Sequence, residues 1–138
     1  MKKALLLFLF SATLLSCKKE IICNDFNVNN GTECISAHNY FVGEYSQNTP
    51  PDLATIEAGN TPEILIFNRS NDCTGQYATV VKDNAASFYF LPQTYQANGF
   101  TYEILSGSGS YNGTVLNYTL QIKYNGQTVD YNFTGTRL

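Results

Sequence analysis

The side chains best able to do chemistry in this chain are four cysteines, Cys17, Cys23, Cys34 and Cys73, and a single histidine, His38. Thiols bind zinc at short, paired spacings. These are widely separated and have only His38 to assist, so no metal site is expected. A nucleophile–histidine–acid set needs three converging groups, and nothing in the spacing brings an acid and a nucleophile to His38. It reads as a surface histidine at a segment border. Glu57 and Glu63 come nearest to the carboxylate pair that glycosidases use, but single acids scattered through a short domain are ordinarily solvated. Asp25, Asn27, Asn29 and Asn30, followed by Gly31, alternate oxygen ligands as calcium loops do. The glycine falls one residue late, and the twelfth position is Ser36 rather than an acid; a polar loop accounts for the same letters. The expectation is a non-catalytic chain with no metal and no cofactor.

Cys17 is set apart by what precedes it. Lys2 and Lys3 lead into an apolar run over residues 4–15, broken only by Ser11 and Thr13, and then into Ser16-Cys17. A basic start, a short apolar stretch and a small residue make up a secretory signal. A helix of that length rises ~18 Å against the roughly 30 Å of bilayer hydrocarbon, too short for a comfortable span. Leu14-Leu15-Ser16-Cys17 resembles the lipobox of bacterial lipoproteins. That resemblance implies cleavage before Cys17 and palmitate-type acyl chains carried from its sulfur. At about 0.8 kcal/mol per buried methylene, two or three chains anchor a protein where one does not. In such proteins an Asp directly after the cysteine favours the inner membrane; Lys18 stands there instead. The expected address is therefore the cell envelope, lipid-anchored at the outer membrane. The expected segments are a signal peptide over 1–16, a lipidated N-terminus and polar tether loop, a tether with one looped module, over 17–38, and a β domain over 39–138.

From Cys17 onward the chain has 122 residues, one domain's worth. It carries six basic against eleven acidic side chains, a formal charge of −5, with no basic cluster. Nucleic acid is accordingly excluded as a partner. Tyrosine and phenylalanine are plentiful, tryptophan is absent, and Asn, Thr, Gly and Ser fill much of the rest, a balance that favours strands and turns. An oxidising compartment lets Cys23, Cys34 and Cys73 form one bridge with one thiol left over. Cys23 to Cys34 closes a short local loop and is preferred; Cys34 to Cys73, stapling the domain's entrance to a later hairpin, is the rival.

Alternation and turn residues give strands over 40–47, 53–58, 63–68, 76–82, 87–91, 100–110, 114–124 and 127–136. A helical turn fits 36–41. Two Asn-Gly pairs, at 112–113 and 125–126, sit between strand-like runs, and both residues of a type I′ turn need positive φ. Counting outward from Asn125-Gly126 pairs Tyr124 with Gln127, Ile122 with Val129, Leu120 with Tyr131 and Tyr118 with Phe133. The other face pairs Lys123 with Thr128, Gln121 with Asp130 and Thr119 with Asn132. One face is apolar and the other polar, and a slip of one residue would scramble both. The same count from Asn112-Gly113 sets Gly109 opposite Leu116 and Gly107 opposite Tyr118, so that glycines make room beneath large side chains. Leu105 then faces Leu120, and a bulge near Gly107 must reset the phase for Phe100, Tyr102 and Ile104. The expected fold is all-β, an antiparallel up-and-down meander of about eight short strands forming a small barrel or sandwich. Its inner lining would include Leu116, Tyr118, Leu120, Ile122, Val129, Tyr131 and Phe133. These form either a filled core, the preferred reading, or the wall of a cavity for a small apolar ligand.

Phe41-Val42-Gly43-Glu44-Tyr45 resembles the F-x-G-x-Y opening of lipocalin-like domains in small Bacteroidota-type envelope lipoproteins. Residues 105–118, with Gly107-Ser108-Gly109, Asn112-Gly113, Leu116 and Tyr118, resemble the GSG-x-x-NG-x-x-L-x-Y hairpin of that group, and Pro92-Gln93 its I-P-x-Q strand end. Asn29-Asn30-Gly31-Thr32-Glu33-Cys34 is similar to a reduced form of the EGF-like segment that precedes such domains, although two cysteines exclude a complete EGF fold. The resemblance covers roughly 17–138 and implies the address and the fold; it brings no activity with it. The expected function is a lipid-anchored, non-catalytic binding or structural module, with a lipocalin-like carrier of a small apolar ligand as the alternative. Tyr89, Tyr95, Gln96 and Asn98 are the candidates for touching a surface glycan or protein partner.

Overall fold

The computed structural model describes residues 21–69, 73–82 and 84–138, the side chains of Cys73 and Thr74 excepted. The signal segment, Cys17 and the start of the tether lie outside the described residues. A hairpin of β1 (Asn27–Asn29) and β2 (Cys34–Ser36) leads into a single helix turn, α1 (Ala37–Phe41). Nine strands follow: β3 (Gly43–Asn48), β4 (Pro51–Ala58), β5 (Ile64–Arg69), β6 (Cys73–Val81), β7 (Asn84–Phe90), β8 (Gln93–Ala97), β9 (Phe100–Tyr111), β10 (Val115–Tyr124) and β11 (Gln127–Arg137). All pairings are antiparallel. Eight of the strands close in the order β3-β4-β5-β6-β7-β9-β10-β11, with β11 returning to β3. The chain is thus an all-β meander closed into an eight-stranded barrel. The remaining strand, β8, shares one edge of the long β9 with β7: β8 pairs with residues 100–104 and β7 with residues 108–110.

The last hairpin pairs as the alternation requires, from Tyr124 opposite Gln127 to Tyr118 opposite Phe133. Asn125 (φ 49°) and Gly126 (φ 76°) make the two-residue turn. The preceding hairpin is displaced by two residues from the count. Tyr111, Gly109 and Gly107 lie opposite Leu116, Tyr118 and Leu120. The cause is local. Asn112 Oδ1 accepts from Thr114 N at 2.9 Å and Val115 N at 2.8 Å, which closes a loop over residues 112–115 in which only Gly113 has positive φ. An Asn side chain bonded to the backbone ahead of it builds a longer loop as readily as an Asn-Gly pair builds a short one. The phase is reset at Leu105, the extra residue between Ser106 opposite Gln121 and Ile104 opposite Ile122.

Aromatic rings fill the barrel. Phe67 meets Phe88, Phe90 and Tyr118 at centroid distances of 5.0, 4.8 and 5.5 Å, and Tyr118 stacks on Phe133 at 4.9 Å. The glycines of β9 make this packing sterically feasible. A Cβ on Gly107 would sit 2.6 Å from Leu120 Cδ2, and one on Gly109 would sit 2.5 Å from Phe88 Cζ.

One end of the barrel is plugged. The Ser36 hydroxyl caps α1 by accepting from Asn39 N at 3.2 Å. The turn delivers Phe41 against Phe88 and Tyr111, at 5.4 and 6.1 Å. Tyr45 OH donates to Phe41 O at 2.6 Å, Tyr40 OH donates to Tyr111 O at 3.0 Å, and Arg137 reaches across from the last strand to Val42 O. A disulfide joins Cys23 to Cys34, and the hairpin it closes buries Val28 in the main core and pairs Asp25 with Lys82 at 3.1 Å. From residue 21 the looped module expected within the tether is thus an ordered hairpin seated on the barrel. The Cys73 thiol lies outside the described side chains.

Candidate functional site: the open end of the barrel

At the opposite end the strands splay apart, and side-chain amides replace the missing ladder. Tyr77 N donates to Gln93 Oε1 at 2.8 Å while Gln93 Nε2 donates to Tyr77 O at 2.7 Å, bridging β6 to β8. Thr134 N donates to Gln47 Oε1 at 2.7 Å, extending the short β3–β11 junction. A glutamine amide offers a donor and an acceptor as a peptide group does, so each finishes the wall without further strand pairing.

Beyond the closed part of the barrel, β8, the start of β9, the end of β10 and the start of β11 continue as a shelf. Across its inner face Tyr95, Tyr102 and Tyr124 stand nearly parallel, with centroids 5.2 and 4.8 Å apart and interplanar angles of 14° and 18°. Facing the shelf, β4 and β5 supply Asp52 and Arg69. One Asp52 oxygen is bonded by the Arg69 guanidinium and, at 2.5 Å, by the Tyr131 hydroxyl; the other accepts from Leu53 N at 2.9 Å. The guanidinium carbon lies 3.9 Å from the centre of the Tyr131 ring. Between shelf and ion pair is a pocket of about 280 Å³ lined by Arg69, Tyr95, Ala97, Asn98, Tyr102, Ile122, Val129, Asp130 and Tyr131.

The electrostatics keep this corner charged internally yet balanced. Burial pushes the Asp52 carboxyl up, but the Tyr131 hydroxyl, the Arg69 guanidinium and Leu53 N–H outweigh it and hold the group below its ordinary value. Burial and the bond to Asp52 push the Tyr131 hydroxyl up, so it remains a proton donor. Burial works against the Arg69 charge, yet Tyr131, Tyr118 and Asp52 keep that group above its ordinary value.

The residues singled out in the sequence divide between core, mouth and surface. Leu116, Tyr118, Leu120 and Phe133 are core side chains, whereas Ile122, Val129 and Tyr131 reach the pocket. Tyr95 and Asn98 line it too. Gln96 bonds Thr101 Oγ1 at 2.7 Å on exposed ground, and Tyr89 is half-exposed on the outer wall. His38 is at the plugged end, its Nε2 donating to Ile64 O at 2.9 Å. Glu57 is exposed on β4, and Glu63 precedes β5. The oxygens of Asn29 and Asn30 accept from the backbone of their own turn, at Gly31, Thr32 and Glu33. Among the described residues no three His, Cys, Asp or Glu side chains group as metal ligands. Asp52 and Arg69 were not singled out: seventeen residues separate them, and they meet only through the β4–β5 register, which sets Ala54 opposite Arg69.

No protein-family model, no curated protein and no solved structure matches the chain. The chemistry of the open end therefore has to be argued from its own geometry. It combines mostly apolar walls, a guanidinium and a carboxylate that accepts three hydrogen bonds.

Proposed function

We propose that the chain is a cell-envelope lipoprotein, anchored through acyl chains on Cys17 at the outer membrane, and that its barrel is a non-catalytic binding module working through the open end. The observation that carries this reading is the asymmetry of the two ends. The disulfide-closed hairpin and α1, the described parts nearest Cys17 in sequence, cover the plugged end. The mostly apolar pocket lies at the other end, whereas the hollow beside the plug is lined chiefly by polar groups such as Asn24, Asp25, Asn27 and Lys82. An anchor attached at the plugged end leaves the pocket facing away from the lipid, as suits a module that meets its partner beyond the membrane. The carrier alternative needs an apolar ligand inside the barrel, and there Phe67, Phe88, Phe90 and Tyr118 already occupy the space. A carried molecule would be confined to the mouth.

Fractionation of cells producing the unaltered chain and the Cys17→Ala variant tests the anchor. The unaltered protein should sediment with membranes and the variant should be recovered in the soluble fraction. A variant that still sediments with membranes contradicts the proposal.

A further inference from the structure

We infer that the open-end pocket takes a small uncharged molecule with an apolar body and one oxygen acceptor, such as an aryl ketone, ester or amide, and that Arg69 holds this oxygen. The inference deepens the reading of the open end as the binding surface and rests on it.

The walls favour an apolar body. Ile122 and Val129 face the pocket together with Tyr95 and Tyr102, and the stacking of Tyr95, Tyr102 and Tyr124 on one another fixes that wall in place. The site is thereby preorganised, which reduces the ordering cost of binding. Its volume corresponds to about nine waters at roughly 30 Å³ each, room for a one-ring molecule.

The guanidinium supplies the polar contact. An arginine carries five N–H donors. Asp52 engages one terminal nitrogen, and the guanidinium lines the pocket with 17% of the Arg69 side chain still open. The open N–H donors there are met by a water or by a ligand oxygen. Charge then selects among oxygen-bearing ligands. Asp52 already neutralises Arg69. A carboxylate ligand therefore gains no net charge attraction. A cation fares no better, because both Asp52 oxygens are engaged by Leu53, Arg69 and Tyr131. A neutral acceptor fits what remains.

Three probes share one ring and differ in the head group: acetophenone, benzoate and ethylbenzene. Each is titrated into isotope-labelled protein, and the methyl signals of Ile122 and Val129 are followed. Acetophenone should give saturable shifts with an affinity about tenfold above either of the others, the difference expected of a hydrogen bond to a charged donor. Arg69→Lys keeps the charge opposite Asp52 but loses the planar fork. It should lower acetophenone to the affinity of ethylbenzene and leave ethylbenzene unchanged, which also reports that the pocket is intact. Tightest binding by benzoate, or equal binding of ethylbenzene and acetophenone, overturns the head-group assignment while keeping the open end as a binding surface. Absence of saturable shifts with all three probes overturns the small-molecule pocket altogether, and the anchor is judged separately by Cys17→Ala.

Discussion

Gly109→Ala tests the barrel's packing at its tightest point. A Cβ built on Gly109 lies 2.5 Å from Asn117 O, Phe88 Cζ and Tyr118 Cβ, whereas ordinary contact begins near 3.4 Å. The Phe88 ring has some freedom to tilt. Asn117 O and Tyr118 Cβ belong to the paired β10 strand and cannot retreat without moving the ladder. The φ of Gly109 is not in the left-handed region, so the cost is steric alone. Overpacking a well-filled core costs about 1–3 kcal/mol, and with backbone among the obstacles we expect about 3 kcal/mol. For a domain of this size each kcal/mol moves Tm by roughly 3–5 °C, which predicts a fall of about 10 °C. Gly126→Ala is the matched control. Nothing lies within 4 Å of its Cβ, and its φ of +76° imposes only the left-handed penalty, about 1–2 kcal/mol, so the fall should be about half as large. Thermal melts followed by circular dichroism, with the disulfide intact, read both. A Gly109→Ala protein melting within about 2 °C of the unaltered one would refute the steric argument.

The Asp52 carboxyl titrates lower in the folded chain than in the unfolded one. Its contribution to stability is thus fully present above the unfolded value near ~3.9 and is lost as pH falls through the folded value. The urea midpoint should drop in that acid window, Asp52→Asn should flatten the drop, and an unchanged profile contradicts the ion pair. Replacing Cys23 and Cys34 together by serine opens a short loop whose closure stabilises by ~3 kcal/mol on chain-entropy grounds. Amide exchange should rise in β1 and β2 and stay slow in β10, and a uniform rise would contradict local seating of the hairpin. Gln93→Leu strips the bridge from Tyr77 N and O and should destabilise by about 1 kcal/mol, seen as a lower urea midpoint; no change would mean that solvent serves those groups equally well.

The most legible parts of the fold were those where two independent constraints agreed. The Asn125-Gly126 turn and the alternation of β10 and β11 specify one register, and the chain adopts it. Where one signal stood alone it misled. Asn112-Gly113 carries the same letters, yet the Asn112 side chain bonds forward and lengthens the loop. The β8 strand, Gln93–Ala97, was not expected, although Asn98 and Gly99, both at positive φ, form a two-residue turn between Ala97 and Phe100. The exposure of Val129, half of whose surface is open at the mouth, was hidden because alternation shows which face a residue takes and not where along the strand the barrel ends. For the same reason half of the mouth could be read from the β10–β11 hairpin while the other half could not. Asp52 and Arg69 look like solvated charges in the sequence, and only closure of the sheet brings them to Tyr131.

The claim that joins address to function is that a lipid on Cys17 tethers the barrel from its plugged side. Intact-mass measurement on protein extracted mildly from its own membranes tests this most directly. The account predicts a polypeptide beginning at Cys17 and heavier by a diacylglyceryl group, with or without a third acyl chain. A chain that keeps its leader, or that begins at Cys17 with an unmodified thiol, would contradict it.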